Sequence, residues 1–330
     1  MKIKLIAEKA ISGQGQRSNN EDNFGFISGE TYTVCDGVGG ANKGEIASDF
    51  TVRGIISEFQ RNPNSSAQLA VRKIEERITN YQATHSDASG MATTLTLVQN
   101  RGDSIYVAWC GDSRVYQFRN GKIIFKTIDH SWVNEALVAG IITKEEAINH
   151  PKSNIITRAI QGNEKHAEID ERILTNVQSG DCFLLCSDGV LEAWSDADLE
   201  TLFDQVSEPH QALELINEHC LNNSRDNFTA ICVKAEVSGT PPLHKEKRIP
   251  QGFDKITNKP KKIAPNKKAG VRGRLIVVFM LITLLLCGGV YYMFFYSKPK
   301  DSSAKEKDKK IMDNPVKKTN KPNDKKPPSN

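Results

Sequence analysis

The chain has 330 residues, of which 38% are hydrophobic and 25% are charged, as expected for a globular protein with one sizeable core and additional segments. The formal net charge of +4 is unevenly distributed, because residues 1–236 carry 22 Lys and Arg against 33 Asp and Glu, whereas residues 237–330 carry 22 against 7. The seven cysteines have no paired spacing, and HExxH, CxxC and GxxxxGK[ST] motifs are absent, so a disulfide scaffold, the common zinc sites and a nucleotide-binding phosphate loop have no support.

The N-terminal residues indicate where the protein is located. Residues 1–16 contain no apolar run long enough for a signal peptide, and we therefore expect the large domain to stay in the cytoplasm.

A polar segment, RSNNED at residues 17–22, precedes the strand-like NFGFIS. Arg17 has a planar guanidinium suited to phosphate, and Glu21 and Asp22 add carboxylates. A polar surface loop has the same composition, so this segment alone does not define a site.

Strands and helices are mixed through the rest of the acidic domain, with the helices in separate blocks and no internal repeat. The sequence predicts strands at 93–100, 104–110, 113–118, 122–128 and 181–187, with a hairpin turn at 119–121, and helices at 43–60, 66–83, 131–149, 196–205 and 210–221. Consecutive strands with short turns imply antiparallel pairing. The helices then cover the sheets from outside, which predicts a layered α+β domain and not a βαβ alternation.

Four carboxylates stand at the ends of apolar strands. Asp36 follows TYTVC, Asp112 follows SIYVAWCG, Asp188 follows CFLLCS, and Asp226 begins DNFTAICVKA. A lone aspartate at a strand end is usually a turn residue that bonds nearby backbone amides. Four of them in one domain indicate convergence, and gathered carboxylates without basic partners need divalent cations. Oxygen ligands favour hard ions, Mg²⁺ or Mn²⁺.

The basic part of the chain contains a predicted membrane segment. Residues 275–296, LIVVFMLITLLLCGGVYYMFFY, include no charged side chain, and 22 helical residues span roughly 33 Å, enough for a bilayer core of about 30 Å. The composition of residues 237–274 predicts a basic flexible linker, and that of residues 297–330, rich in Lys and Pro, predicts a disordered tail. Residues 260–274 and 297–311 hold six basic side chains each, so charge alone does not fix the orientation.

Seven blocks of the acidic domain, taken together and in order, resemble the metal-dependent protein phosphatases of type 2C, in their bacterial form. The blocks are RSNNED, VCDGVGG, MATTL, WCGDSRVY, the stretch from DHSWVNEALVAG to ITRAIQG, LLCSDGV and DNFTAICV, and they span roughly residues 5–236. The resemblance implies a four-layer α-β-β-α sandwich, in which helices flank two antiparallel sheets, with metal ions in a cleft at one end of the sheets.

The resemblance also implies roles for individual residues. Asp36 would bridge two ions of Mn²⁺ or Mg²⁺, and the carbonyl of Gly37 would bind one of them, while Gly37, Gly39 and Gly40 let the backbone approach the metal. Further ligands would be Asp188 and Asp226, Glu21 through water, and Asp112 at a third, weaker metal. Arg17 would bind the phosphoryl group, and Asp22 would orient water. The implied reaction is attack of a metal-bridging water on a phosphoserine or phosphothreonine.

One departure concerns the proton donor. Many eukaryotic members carry a histidine after the DG pair, where this chain has Val38. Bacterial members often lack it, so metal-bound water would serve. His130, in the DHS block, is interpreted as structural.

Three functions stay open at this point. The first is a membrane-anchored, cytoplasmic phosphatase that opposes bacterial serine/threonine kinases and acts on their substrates, with no role in nucleic-acid binding. The second is a regulator that binds phosphoproteins without hydrolysis, which metal-dependent turnover would exclude. The third is a phosphatase of a small phosphorylated metabolite, which a comparison of phosphopeptides with small phosphoesters would separate from the first.

Overall fold

A computed structural model describes residues 1–38, 43–147, 150–162 and 166–239. The predicted transmembrane helix, the tail and the linker beyond residue 239 lie outside this part of the chain. Among the helices that are described, none combines the length and the apolar character needed to cross a bilayer.

Five antiparallel strands form the first sheet, in the order β1, β13, β12, β8, β9. Their bounds are Lys2–Gly13 for β1, Phe228–Ser238 for β13, Cys182–Cys186 for β12, Arg114–Arg119 for β8 and Lys122–Lys126 for β9. The predicted hairpin between β8 and β9 is confirmed, with Asn120 and Gly121 at φ 49° and 71°. Two consecutive positive φ values are what a tight two-residue turn requires.

The second sheet also has five antiparallel strands, in the order β11, β7, β6, β3, β2. The bounds are Asp170–Leu174 for β11, Ile105–Cys110 for β7, Leu95–Asn100 for β6, Thr31–Cys35 for β3 and Asn23–Ile27 for β2. A small third sheet joins β10 (Ile160–Gln161), β5 (Ala92–Thr93) and β4 (Gly37–Val38). Strand β4 of this sheet begins directly after Asp36, so the sheet lies at the edge of the candidate site.

Helices cover the outer faces of the two large sheets. The helices are α1 (Gly44–Arg61), α2 (Ala67–Gln82), α3 (Trp132–Val138), α4 (Lys144–Ala147), α5 (Asp188–Ala193), α6 (Asp196–Gln205) and α7 (Pro209–Asn223). One apolar cluster packs α1 and α2 on the second sheet, another packs α6 and α7 on the first, and a third fills the space between the sheets. The predicted α+β fold with antiparallel sheets and flanking helices is confirmed.

Several local elements differ from the sequence prediction. The helix predicted over 131–149 is wrong, because α3 and α4 are separate and Gly140 between them has φ 67°, outside helical geometry. The edge strands β1 and β11 were not predicted. Their side chains are mostly exposed or half-buried, and this removes the apolar signal of a strand. Helix α5, which begins at Asp188, was also missed, since only six residues form it.

The topology brings the strand-end residues to one end of the sandwich. Strands β3 and β7 both pair antiparallel with β6, so their carboxyl ends, before Asp36 and Gly111, lie at the same edge. In the first sheet, the carboxyl ends of β1 and β12 lie beside the start of β13, next to Asp226. The loop after β1 carries Arg17 and Glu21 to the same end.

Candidate active site

A cavity of about 440 Å³ opens at this end of the sandwich. Seven of the eight predicted site residues line it: Arg17, Glu21, Asp36, Gly37, Asp112, Asp188 and Asp226. Asp22 does not line it; this residue is only 9% exposed, and its carboxylate contacts Ser187 next to Asp188. A second cavity, of about 650 Å³, adjoins the first. The structure therefore brings together residues that are as much as 209 positions apart in the chain.

The backbone of Asp36 is fixed by two threonines of the MATTL block. The Asp36 carbonyl accepts hydrogen bonds from Thr93 Oγ1 and from the Thr94 amide, both at 2.8 Å. The Asp36 amide donates to Thr94 Oγ1 at 2.9 Å. These contacts occupy the polar backbone groups of Asp36 and leave its carboxylate as the group that faces the cavity.

Gly37 answers a steric need. A Cβ at this position would lie 2.5 Å from the Glu21 carbonyl oxygen and 2.5 Å from the carbonyl group of Gly44. Both neighbours are backbone atoms that cannot move aside, so a side chain does not fit between them. Gly39 and Gly40, to which the same role was assigned, lie outside the described residues.

Three aspartates that line the cavity, Asp36, Asp112 and Asp188, concentrate negative charge there. Burial raises the pKa of Asp36 well above its usual value, and Asp22, Asp188 and Asp112 add to the rise. Burial also raises the pKa of Asp188 and, reinforced by the charge of Asp188, raises the pKa of Asp112 to about 7. Asp36 and Asp188 share a hydrogen bond, and in the described residues neither forms an ion pair with a basic side chain. The electrostatics thus favour a cation, or a proton, between these carboxylates.

Asp22 is a buried carboxylate that contacts the residue before Asp188. Ser187 Oγ donates to Asp22 Oδ2 at 2.6 Å, and Asp22 Oδ1 is buried without a hydrogen-bond partner among the described residues. Burial raises the pKa of Asp22 to about 7. A buried carboxylate oxygen with an unused acceptor position can accept a hydrogen bond from water or bind a cation. The predicted role in orienting water stays a prediction.

Arg17 is held by Asp226 at the mouth of the cavity. The Nη2 atom of Arg17 lies 2.5 Å from Oδ2 of Asp226, and the arginine side chain is 57% exposed. The hydrogen bond and charge of Asp226 raise the pKa of Arg17 above its ordinary value, so the group is a permanent cation. An exposed cation that lines the cavity can contact an anionic substrate.

Asn227 organises the loop that carries Arg17, and sequence reasoning missed it. Its Oδ1 accepts from the Glu21 amide at 2.9 Å, and its Nδ2 donates to the carbonyls of Gln14 at 2.9 Å and Asn19 at 2.7 Å. One buried side chain therefore fixes the loop at three points. The only signal in the sequence is its position next to Asp226.

Glu192 is a second residue that the sequence did not reveal. It lies on α5, four residues after Asp188, and its carboxylate accepts from the amides of Arg225 and Asp226 at 2.8 and 3.2 Å. It also accepts from Arg225 Nε at 2.6 Å. Glu192 thus ties the segment of Asp188 to the segment of Asp226.

His130 does not line the cavity. It is buried, and its Nδ1 accepts from the Gly111 amide at 3.1 Å, while its Nε2 lies 3.3 Å from Asp170 Oδ2. Burial lowers the pKa of His130, which keeps the ring neutral as an acceptor requires. These contacts support the structural interpretation. Val38 lines the cavity where it cannot donate a proton.

The residues of the cavity fit hard divalent cations by their chemistry. All the candidate ligands offer oxygen atoms, and burial together with neighbouring negative charge raises the pKa of Asp36, Asp112 and Asp188. No three His, Cys, Asp or Glu side chains of the described chain converge as tightly as a formed metal site would.

Comparison with known protein families gives one clear match. The family model described as Protein phosphatase 2C matches residues 12–220. A serine/threonine phosphatase named stp, from Listeria monocytogenes, is 30% identical over 236 residues, which cover 67% of this chain and 92% of that protein.

Solved structures agree with the sequence comparison. The crystal structure of the Mycobacterium tuberculosis serine/threonine phosphatase PstP/Ppp superposes with a TM-score of 0.63 and 31% identity, over 71% of this chain and 100% of that one. Another structure, of the catalytic domain of a serine/threonine protein phosphatase PstP, gives a TM-score of 0.61 and 30% identity over the same shares of the two chains. That protein was crystallised in complex with two manganese ions.

Proposed function

The chain belongs to the protein phosphatase 2C family and is a protein serine/threonine phosphatase, and from this premise we propose that it hydrolyses phosphoserine and phosphothreonine at the 440 Å³ cavity with the help of Mn²⁺ or Mg²⁺. The observation that carries the proposal is the convergence of Asp36, Asp112, Asp188 and Asp226 with Arg17 on that cavity. A carboxylate cluster beside a fixed arginine suits a phosphate whose charge is shared between cations and guanidinium.

The candidate ligands divide into three groups. Asp36 and the Gly37 carbonyl, with Asp188 and Asp226, would hold two ions, and Glu21 would contribute through water. Asp112 would help to hold a third. The manganese complex of PstP supports two ions, and the neighbourhood of Asp112 and Asp188 supports the third. Bound divalent ions supply Lewis acidity, which lowers the pKa of water and offsets the charge of the phosphate dianion.

The protein's own groups would position the substrate. Arg17, oriented by Asp226, would donate to two phosphoryl oxygens through its planar fork. Asp22 would accept a hydrogen bond from a buried water through its Oδ1, which has no partner among the described residues. The absence of a side chain at Gly37 lets its main chain pack directly against the Glu21 carbonyl and Gly44 at the edge of the cavity. No cysteine is needed as a nucleophile, and the six cysteines of the described residues are all buried.

A comparison of substrates tests the proposal. We expect the purified full-length chain, in detergent with Mn²⁺, to release phosphate from a phosphothreonine peptide with a kcat/KM at least about tenfold above that for a small phosphoester, because substrate contacts outside the phosphate aid catalysis. Equal or better turnover of the small phosphoester would favour a metabolite phosphatase. Binding of the phosphopeptide without release would favour a regulator.

We further propose that residues 275–296 anchor the protein in a membrane with the phosphatase domain in the cytoplasm. The support is the uncharged stretch of 22 residues and its cluster of Tyr291, Tyr292 and Tyr296 at one end, typical of a membrane interface. Kinases use cytoplasmic ATP, so phosphorylated proteins arise on that side. The partners would be a serine/threonine kinase and its substrates near the membrane, where tethering raises the effective concentration.

Membrane fractionation provides the corresponding prediction. We expect the full-length chain to sediment with membranes and to resist extraction by high salt, whereas the double variant Leu284→Arg and Leu285→Arg should move largely to the soluble fraction. Each arginine costs about 2.5–3.5 kcal/mol at the centre of a spanning helix. Ser302→Arg with Ser303→Arg is the matched control outside the apolar stretch and should stay in the membrane fraction. A soluble wild-type chain would refute the anchor.

A further inference from the structure

The second cavity, of about 650 Å³, continues the active-site cleft. It shares five lining residues with the first: Arg17, Asp112, Asn154, Asp188 and Asp226. A peptide with its phosphorylated residue beside Arg17 would therefore place a neighbouring residue of its own chain in the second cavity. The side chains there should influence which phosphopeptides bind.

Two charged groups of this second cavity already have partners within the protein. Arg114 Nε and Nη2 donate to the two oxygens of Asp129 at 2.7 and 2.6 Å, and Arg114 Nη1 donates to the Tyr116 hydroxyl at 2.9 Å. Both side chains are mostly buried, at 24% and 13% exposure. Arg114 and Asp129 thus neutralise each other's charge, and most of their hydrogen-bonding atoms are already used within the protein.

Arg225 also lines the second cavity, but unlike Arg114 it keeps donor groups that are not used within the described residues. Its Nε donates to Glu192 Oε1 at 2.6 Å, which fixes the direction of the side chain, yet 78% of that side chain is exposed. Its Nη1 and Nη2 atoms donate to no group among the described residues. Glu192 is meanwhile engaged by three donors, the Arg225 and Asp226 amides and Arg225 Nε.

We propose that Arg225 is a specificity-determining residue that binds an acidic side chain adjacent to the phosphorylated residue of the substrate. The inference rests on the proposed phosphatase function and adds a substrate class, phosphoproteins with Asp or Glu near the phosphorylated site. The free end of the Arg225 guanidinium supplies two oriented donors for a carboxylate, and Glu192 pre-positions them. The three candidate metal ligands in this cavity, Asp112, Asp188 and Asp226, would have their charge offset by the ions they hold.

A peptide series tests this inference. The substrates are a phosphothreonine peptide with alanine at every flanking position and derivatives with a single Glu or a single Lys at each position in turn. We expect at least one Glu position to raise kcat/KM of the full-length protein roughly two- to fivefold over the alanine peptide, as for a partly exposed ion pair. In Arg225→Gln this ratio should fall to about one. The ratio is formed within each protein, so a general loss of activity in the variant cancels.

Arg172→Gln is the matched control, because it removes the same charge from an exposed position on β11 that forms no ion pair among the described residues. The control should keep the wild-type ratio, and added salt should reduce that ratio because screening weakens the pair. A wild-type preference for Lys, no preference at all, or an unchanged preference in Arg225→Gln would overturn the inference while the alanine peptide is still hydrolysed. Failure to hydrolyse any peptide, the alanine peptide included, would overturn the proposed function and this inference with it.

Discussion

Replacement of Asp36 by Asn is expected to lower phosphate release by at least about a thousandfold in saturating Mn²⁺, since several kcal/mol of charge stabilisation depend on the ions that this carboxylate would hold. The side chain faces the cavity, and its backbone is fixed by Thr93 and Thr94. The substitution keeps the size of the residue and leaves those backbone hydrogen bonds in place. The loss should therefore appear in kcat with the fold intact.

Stability distinguishes this expectation from simple unfolding. Asp36 stands among like charges, and its pKa is raised well above the usual value by burial and then by Asp22, Asp188 and Asp112. A neutral amide removes that repulsion and can still donate to Asp188, so the metal-free variant should unfold at the same denaturant concentration as the wild type or at a higher one. This is the usual trade of stability for function at an active site.

Asp103→Asn is the control for Asp36→Asn. Asp103 is exposed in the turn before β7, at the opposite end of that strand from Asp112. We expect wild-type activity and a change in the free energy of unfolding within about 0.5 kcal/mol. An Asp36→Asn protein that keeps a tenth or more of the wild-type activity, or that loses activity only because it unfolds, would contradict the assignment of Asp36.

The second large effect is expected for Asn227→Ala, through the position of Arg17. The substitution removes three hydrogen bonds at once, to the Glu21 amide and to the carbonyls of Gln14 and Asn19. We expect the free energy of unfolding to fall by about 2–3 kcal/mol, because the Glu21 amide and two carbonyls lose their partner. We also expect kcat/KM to fall by about 10–100-fold under conditions where the protein is folded, since a misplaced guanidinium no longer meets the phosphate.

Asn222→Ala provides the comparison. Asn222 is exposed on α7, and its Nδ2 donates only to the Glu218 carbonyl one helical turn away. Its replacement should change stability by less than about 0.5 kcal/mol and leave kcat/KM unaltered. If Asn227→Ala loses stability but retains wild-type kcat/KM, the loop does not depend on Asn227 for its catalytic geometry.

The acidic residues of the site were predictable because their signal is local. Asp36 directly follows an apolar strand, and a single residue separates Asp112 and Asp188 from theirs; antiparallel pairing alone places such strand ends at common edges. Arg17 and Glu21 were candidates from a polar segment that is ambiguous by itself, and the resemblance to the phosphatase family then gave them roles. The structure places all five on one cavity.

The supporting residues could not be predicted in the same way. Asn227 contacts residues 206 to 213 positions away in the chain, and no local pattern carries that information. Glu192 appears on the surface of an unpredicted short helix, where an acidic residue is ordinary. The edge strands β1 and β11 have few buried side chains, so periodicity is weak, and the break at Gly140 interrupts a segment whose composition is otherwise helical.

The most direct test of the central claim is reversible metal dependence of phosphate release from a phosphothreonine peptide by the full-length protein in detergent. We predict that the protein treated with EDTA and then freed of it by dialysis has less than about 1% of the activity in saturating Mn²⁺, and that Mn²⁺ restores the activity. We also predict that restoration fails in Asp36→Asn. Hydrolysis that persists after complete metal removal, with the fold and the cavity residues intact, would contradict a metal-dependent centre at this carboxylate cluster.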